Sequence, residues 1–235
     1  MKRVLMGLVT LLTPVVIVLL AVRIILVPWF VNLEYLMPGF PEDRYGFTLE
    51  ERLKYADIAR KYILSDPAVP SLADQRFPEG QQVPAFSCQF MDDCSFMYNE
   101  REVQHMLDVR NTVGSAMLVL GGALLAWVAL GIVAWRAGWK REYRLALRRG
   151  GWLTLIAIGG VILFVLLAFG VIFVYFHQVF FQEGTWTFYY SDTLIRLFPE
   201  RFWRDALLVV GFFTVVLSGA VIKVSKLNKH DTSRK

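Results

Sequence analysis

The sequence predicts an all-α membrane protein with four transmembrane helices, both termini cytoplasmic, and a helical extracytoplasmic cap formed by the first outer loop. Three observations predict it. The 235 residues are 56% hydrophobic, with a mean hydropathy of +0.46 and charged residues at only 19%, a profile that excludes an ordinary soluble domain. Four apolar stretches, Val4–Phe30, Thr112–Trp135, Trp152–Phe176 and Asp205–Lys223, each come close to the ~20 residues that cross ~30 Å of hydrocarbon. Basic residues gather in three places that four crossings put on one side, and basic loops mark the cytoplasmic face. Helices satisfy their own backbone groups in lipid, and the period-2 alternation of a membrane β-barrel is absent.

The first segment, 1–30, is read as a retained helix. Its apolar run is too long for a signal peptide, and the bulky Val27-Pro28-Trp29-Phe30 offers no small-residue cleavage site. Lys2 and Arg3 open it. Arg23 falls about 28 Å of helix beyond Val4, near the outer interface. There it is either a contact to a lipid phosphate or a snorkelling anchor.

Residues 31–111 form the long outer loop, with 14 acids against 7 bases between Val31 and Asp108. A loop of this length needs structure of its own. Thr48 and Glu51 make a capping box, and Leu49, Leu53, Ala56, Ala59 and Ile63 follow at helical spacing. Asp66-Pro67 stops that helix. Val69–Pro84, with three prolines and Gly80, reads as irregular. Cys88 and Cys94 follow, with five residues between them, amid Phe86, Phe90, Met91, Phe96, Met97 and Tyr98. In an oxidising compartment the natural reading is a disulfide, with two unpaired thiols as the alternative. A metal site lacks a third ligand at a useful spacing.

Asn99 reads as the N-cap of a helix, with Glu102 at N3, that runs without interruption into the span 112–135. His105 and Asp108, three apart, share a face, and a carboxylate beside an imidazole fixes its tautomer. Glu100, Arg101 and Arg110 crowd the same region, with Arg101 and Glu102 read as a solvated helix end. The connection 136–151 carries Arg136, Lys140, Arg141, Arg144, Arg148 and Arg149 against the single acid Glu142.

In the third span, 152–176, His177 lies 25 residues after Trp152, about 37 Å along the axis. Its ring is therefore expected at headgroup depth, framed by Tyr175, Phe176, Phe180 and Phe181. Histidine titrates near neutrality, so it can take and return a proton at working pH, and an imidazole at that depth can meet a lipid's ester carbonyl or glycerol oxygen. In the segment 177–204, Trp186 belongs to an aromatic interface. Asp192, Leu194, Ile195, Leu197 and Phe198 suggest a short amphipathic helix lying on the membrane, ended by Pro199. The fourth span, 205–223, leads to the basic tail 224–235, with Lys226, Lys229, Arg234 and Lys235. Internal repeats, a phosphate-cradling glycine loop and a Gly-x-Ser-x-Gly elbow are absent. The net charge of +5 sits in the cytoplasmic clusters and is not a nucleic-acid footprint.

Three stretches resemble one bacterial family. They are Glu100-x4-His105-Met106-x-Asp108-Val109, Phe176-His177-x2-Phe180-Phe181-x4-Trp186-x-Phe188, and Leu194-Ile195-x-Leu197-x-Pro199-x2-Phe202. The family is that of the four-helix lipoprotein intramolecular transacylases, and the similarity covers most of the chain. It implies an enzyme of the bacterial cytoplasmic membrane, with its active site facing the extracytoplasmic side. Its substrates would be diacylated lipoproteins, and membrane lipids would be its other partners. The reaction moves the sn-2 acyl chain of a diacylglyceryl-cysteine to the cysteine α-amine. The resemblance implies that His105 and His177 carry catalysis. We expect His105 as the base, oriented by Asp108, and His177 polarising the ester. Tyr175, Phe180, Phe181 and Trp186 are the expected interfacial pocket, with Glu100 and Arg110 in support. No cofactor, metal or nucleotide is implied, because ester-to-amide exchange runs downhill. The cysteine pair departs from the family pattern. Rival readings are another interfacial lipid hydrolase or acyltransferase with the same histidines, and a non-enzymatic membrane assembly factor. A transporter would need intramembrane acids and broken helices.

Overall fold

The computed structural model describes residues 1–78, 81 and 84–226, so Gly80 and the tail residues Lys229, Arg234 and Lys235 lie outside the described residues. Among those described, every regular element is helical, and the only strand-like pairing is one isolated bridge between Arg76 and Phe96. The helices are α1 (Lys2–Ile25), α2 (Pro28–Tyr35), α3 (Leu49–Ile63), α4 (Ala85–Cys88), α5 (Glu100–Arg136), α6 (Lys140–Phe180), α7 (Thr193–Leu197) and α8 (Glu200–Val224). A 3-10 turn spans Leu72–Asp74. Four helices, α1, α5, α6 and α8, are long and apolar enough to cross a membrane.

The chain divides into two compact units. The first comprises Met1–Ile25, Ala116–Leu167 and Leu207–Lys235, the span-forming parts of those four helices. Small residues and hydroxyls bring these helices together, as packing without a hydrophobic driving force requires. A Cβ on Gly150 would fall 2.5 Å from Thr13 Cβ and 2.8 Å from the Thr10 carbonyl oxygen, so α6 and α1 meet backbone to backbone there. A Cβ on Gly151 would fall 2.7 Å from Ile222 on α8. Thr10 Oγ1 donates across to the Ala146 carbonyl at 3.2 Å, and Trp127 Nε1 donates to Thr13 Oγ1 at 3.2 Å. Lys2 and Glu142 close the basic end with a 2.5 Å ion pair.

The second unit comprises Leu26–Ser115 and Ala168–Ala206. Phe47, Tyr55, Ala59, Leu72, Met97, Tyr98, Met106, Leu194 and Leu197 are buried together in its core. Thr48 and Glu51 form the expected capping box at the start of α3. A buried ion pair, Arg196–Asp43 at 3.0 Å, lies beside this core, with the Arg196 guanidinium 3.8 Å from the centre of the Phe47 ring. Arg52 donates to the Pro41 and Arg196 carbonyls at 2.6 and 2.9 Å, so one arginine of α3 ties the irregular stretch at Pro41 to α7. Cys88 and Cys94 form a disulfide with a Cα–Cα distance of 5.1 Å.

Four expectations change. The first apolar segment is not one helix: α1 ends at Ile25 and α2 begins at Pro28, with Val27 extended at φ −85°, ψ 152°. A proline carries no N–H and pushes its predecessor out of the helical region, so the chain restarts there. The basic connection 136–151 is mostly helix, because α6 begins at Lys140 and only Ala137–Trp139 turn, at Gly138 with φ +73°. The short helix α7 does not lie on a surface. Its Leu194 and Leu197 are core residues, and Arg196 is buried with them. Finally, Glu102 and Arg101 are not a solvated helix end, for Glu102 is 1% exposed and Arg101 stands 3.7 Å from the buried Asp192.

Candidate active site

His105 and His177 both belong to the second unit, and their rings stack at 5.9 Å between centroids with 22° between planes. Local sequence explains how each arrives. Asn99 and Glu102 cap α5 reciprocally, the Asn99 side-chain oxygen accepting from Glu102 N at 3.0 Å and Glu102 Oε2 accepting from Asn99 N at 2.9 Å. The other carboxylate oxygen, Oε1, accepts from Leu194 N at 2.7 Å. One acid side chain thus starts α5 and pins it to α7, and His105 follows one turn later. His177 lies in the last turn of the 41-residue α6. That helix breaks at Ala168 (φ −150°, ψ 49°), and the part after the break belongs to the second unit.

Aromatic rings enclose the pair. Phe181 lies 4.8 Å from His105 and 5.4 Å from His177, Phe188 lies 5.3 Å from His105, and Trp186 lies 5.0 Å from His177. Phe173, four residues before His177, packs at 4.1 Å. His105 is buried and His177 is half-buried.

The hydrogen bonds set the chemistry. His177 Nδ1 lies 2.8 Å from the Phe173 carbonyl oxygen. A carbonyl oxygen can only accept, so Nδ1 carries the proton. In the neutral ring Nε2 is then a bare lone pair, poised as an acceptor. His105 Nδ1 and Trp186 Nε1 are both buried and have no hydrogen-bond partner. Two unpaired polar atoms therefore lie within the aromatic surroundings of the imidazole pair.

The remaining expected residues fall as follows. Phe181 and Trp186 frame the histidines. Phe180 stands one ring further out, 4.8 Å from Phe176. Tyr175 faces away, 61% exposed, and lines a shallow groove of about 330 Å³ with Gly170, Val171, Val174 and Gln178. Residues two apart on a helix do not share a face, which is why Tyr175 is lost to the site. Asp108 does not orient His105: it accepts from Gln104 at 3.1 Å, one turn back, and no hydrogen bond joins it to the ring. Arg110 donates to Ser65 Oγ at 2.9 Å and lies over the Tyr62 ring, bracing α5 against the end of α3. Glu100 is exposed at the first turn of α5. Arg23 is exposed in the last turn of α1. Phe173 was not anticipated, although its i−4 spacing from His177 was the signal that could have found it.

Among the described residues, four helices long and apolar enough to cross a membrane, together with two stacked imidazoles, define an integral membrane protein with a titratable pair. A family model, lipoprotein intramolecular transacylase Lit, matches residues 7–203. The chain belongs to that family of membrane acyltransferases. An uncharacterized protein of Aquifex aeolicus (strain VF5) is 29% identical over 211 residues, covering 89% of this chain and 88% of its own. The in meso structure of the lipoprotein intramolecular transacylase Lit from Bacillus cereus matches with a TM-score of 0.74 at 21% identity, over 95% of this chain and 94% of that one. A structure of the same protein altered at one histidine matches at 0.68, over 96% of this chain. At that identity the likeness speaks to the fold.

Proposed function

We propose that this chain moves the sn-2 acyl chain of a lipoprotein's diacylglyceryl-cysteine to that cysteine's own α-amine, giving a lyso-form lipoprotein. The observation that carries the reading is the stacked His105–His177 pair with the His177 tautomer held by Phe173. The α-amine has a pKa near 8 and must be neutral to attack. Its nitrogen adds to the sn-2 ester carbonyl carbon, and His177 Nε2 accepts the proton released. His105 donates from Nδ1 to the carbonyl oxygen as negative charge develops there. Collapse breaks the bond to the glycerol oxygen, and that oxygen takes the proton back from His177. The products are an amide and a free glycerol hydroxyl, with no net proton change. These roles exchange those expected from sequence, because the Phe173 hydrogen bond leaves His177 an acceptor while Asp108 gives His105 no support as a base. Donor and acceptor sit in one substrate molecule, so binding alone supplies proximity.

In this reading the protein sits in the bacterial cytoplasmic membrane with both termini cytoplasmic and the histidines at the extracytoplasmic interface. The basic residues at Lys2, Arg3 and Arg136–Arg149 support that orientation. Arg23 is then available to a lipid phosphate.

The test is mass spectrometry of N-terminal lipopeptides from a bacterial host that makes diacylated lipoproteins and expresses this chain. Migration of one acyl chain from glycerol to nitrogen is the expected result. Loss of an acyl chain with a free amine would make the protein a lipase, and unchanged lipopeptides beside folded, abundant protein would leave it non-enzymatic.

A further inference from the structure

We propose that the Trp186 indole N–H is a second donor to the substrate's ester carbonyl oxygen, completing with His105 a two-donor cradle for the oxyanion; this rests on the transfer reading above. Trp186 follows the tight turn at Gly184 (φ +85°), where the chain leaves α6, and its ring lies against His177 at 5.0 Å with 39° between planes. Nε1 is its single polar atom, and it is buried without a partner. Leaving such a donor unpaired destabilises the folded protein. A phenylalanine or leucine would fill space beside His177 without that cost. The nitrogen is therefore explained by an acceptor that arrives from outside the chain.

Chemistry narrows the acceptor. An indole N–H donates and cannot accept. The attacking amine needs an acceptor, which His177 Nε2 provides. The ester carbonyl can only accept, and its oxygen gains negative charge as the amine adds. A donor fixed beside the base, already stripped of water, strengthens its hydrogen bond as that charge grows and needs no rearrangement at that moment.

The experiment replaces Trp186 site-specifically with 3-benzothienylalanine, which keeps the fused-ring shape and puts sulfur where the N–H stood. Purified wild-type and variant protein are assayed in lipid nanodiscs on a synthetic dipalmitoylglyceryl-cysteine peptide. Loss of one donor of this kind costs about 10²–10³-fold in kcat, and the expected result is such a fall with KM within about two-fold of wild type. Trp186→Phe is expected to fall equally. Site-specific 5-fluorotryptophan, which keeps the N–H, is expected to retain activity. A benzothienyl variant above half the wild-type kcat would overturn the donor role while the transfer stands. Should that variant fail to fold, Trp186→Phe at wild-type kcat would overturn it, and so would loss of activity with 5-fluorotryptophan. Wild-type protein that moves no acyl chain would instead overturn the transfer reading and the donor role with it.

Discussion

Glu102 and Leu194, 92 residues apart in sequence, are joined by a 2.7 Å hydrogen bond from backbone N–H to a buried carboxylate oxygen. The same carboxylate caps α5 through Asn99. Removing it strands two buried N–H groups at once. Glu102→Ala is expected to lower stability by about 2–6 kcal/mol, since each of the two stranded donors costs about 1–3 kcal/mol. Glu102→Gln, which keeps one acceptor oxygen, should lose less. Thermal unfolding in detergent, followed by tryptophan fluorescence, measures both.

Gly150 has no room for a side chain, because Thr13 and the Thr10 backbone already occupy the place of its Cβ. Gly150→Leu is expected to force α1 and α6 apart and destabilise by about 1–3 kcal/mol, the usual cost of overpacking. Surviving folded protein should keep its activity per molecule, since the histidines lie in the other unit. Comparing Tm with specific activity separates the two effects.

The disulfide between Cys88 and Cys94 closes a small loop, with a sequence separation of 6. Loop-closure entropy gives a bridge of that size about 2 kcal/mol. Cys88→Ser and reduction of wild-type protein are expected to lower Tm by the same amount, and reduction of the variant should add nothing.

Much of this architecture is legible in the sequence. Both N-caps, Thr48 with Glu51 and Asn99 with Glu102, are local motifs whose geometry needs only four residues to specify. The uninterrupted α5 followed from the second of them, and the placement of His105 beside His177 was expected from their common side of the membrane. What could not be read was the partner each polar side chain would choose. Asp108 had His105 within three residues and took Gln104 instead. Glu102 looked solvated because nothing local shows that Leu194 will arrive to cover it. The core position of α7 was hidden for the same reason, since an amphipathic pattern says that one face is covered and not by what.

Glu34 carries the pH prediction. It is buried beside Asp205, and burial first, then the neighbouring Asp205 carboxylate, raise its carboxyl to about 7, with Arg201 and Arg204 opposing. A raised carboxyl pKa means that the folded state holds its proton more tightly than the unfolded chain. Between about 4.5 and 7, stability therefore falls as pH rises, and the loss is complete above 7. Glu34→Gln should remove that loss. It is expected to raise Tm at pH 8, by roughly 2–4 °C for each kcal/mol recovered, and to leave Tm unchanged below pH 4.5. A Tm gain equal at both pH values would assign the effect to packing.

If His177 Nε2 is the base, His177→Asn should all but abolish the transfer. The asparagine amide can donate to the Phe173 carbonyl as Nδ1 does, which preserves that contact while deleting the ring nitrogen that accepts the proton. The measurement is the single-turnover rate of acyl migration on the diacylglyceryl-cysteine peptide by variant protein with wild-type Tm. The expected result is a fall of about 10²–10⁴-fold, the range for losing a general base. A rate within a tenth of wild type would contradict it.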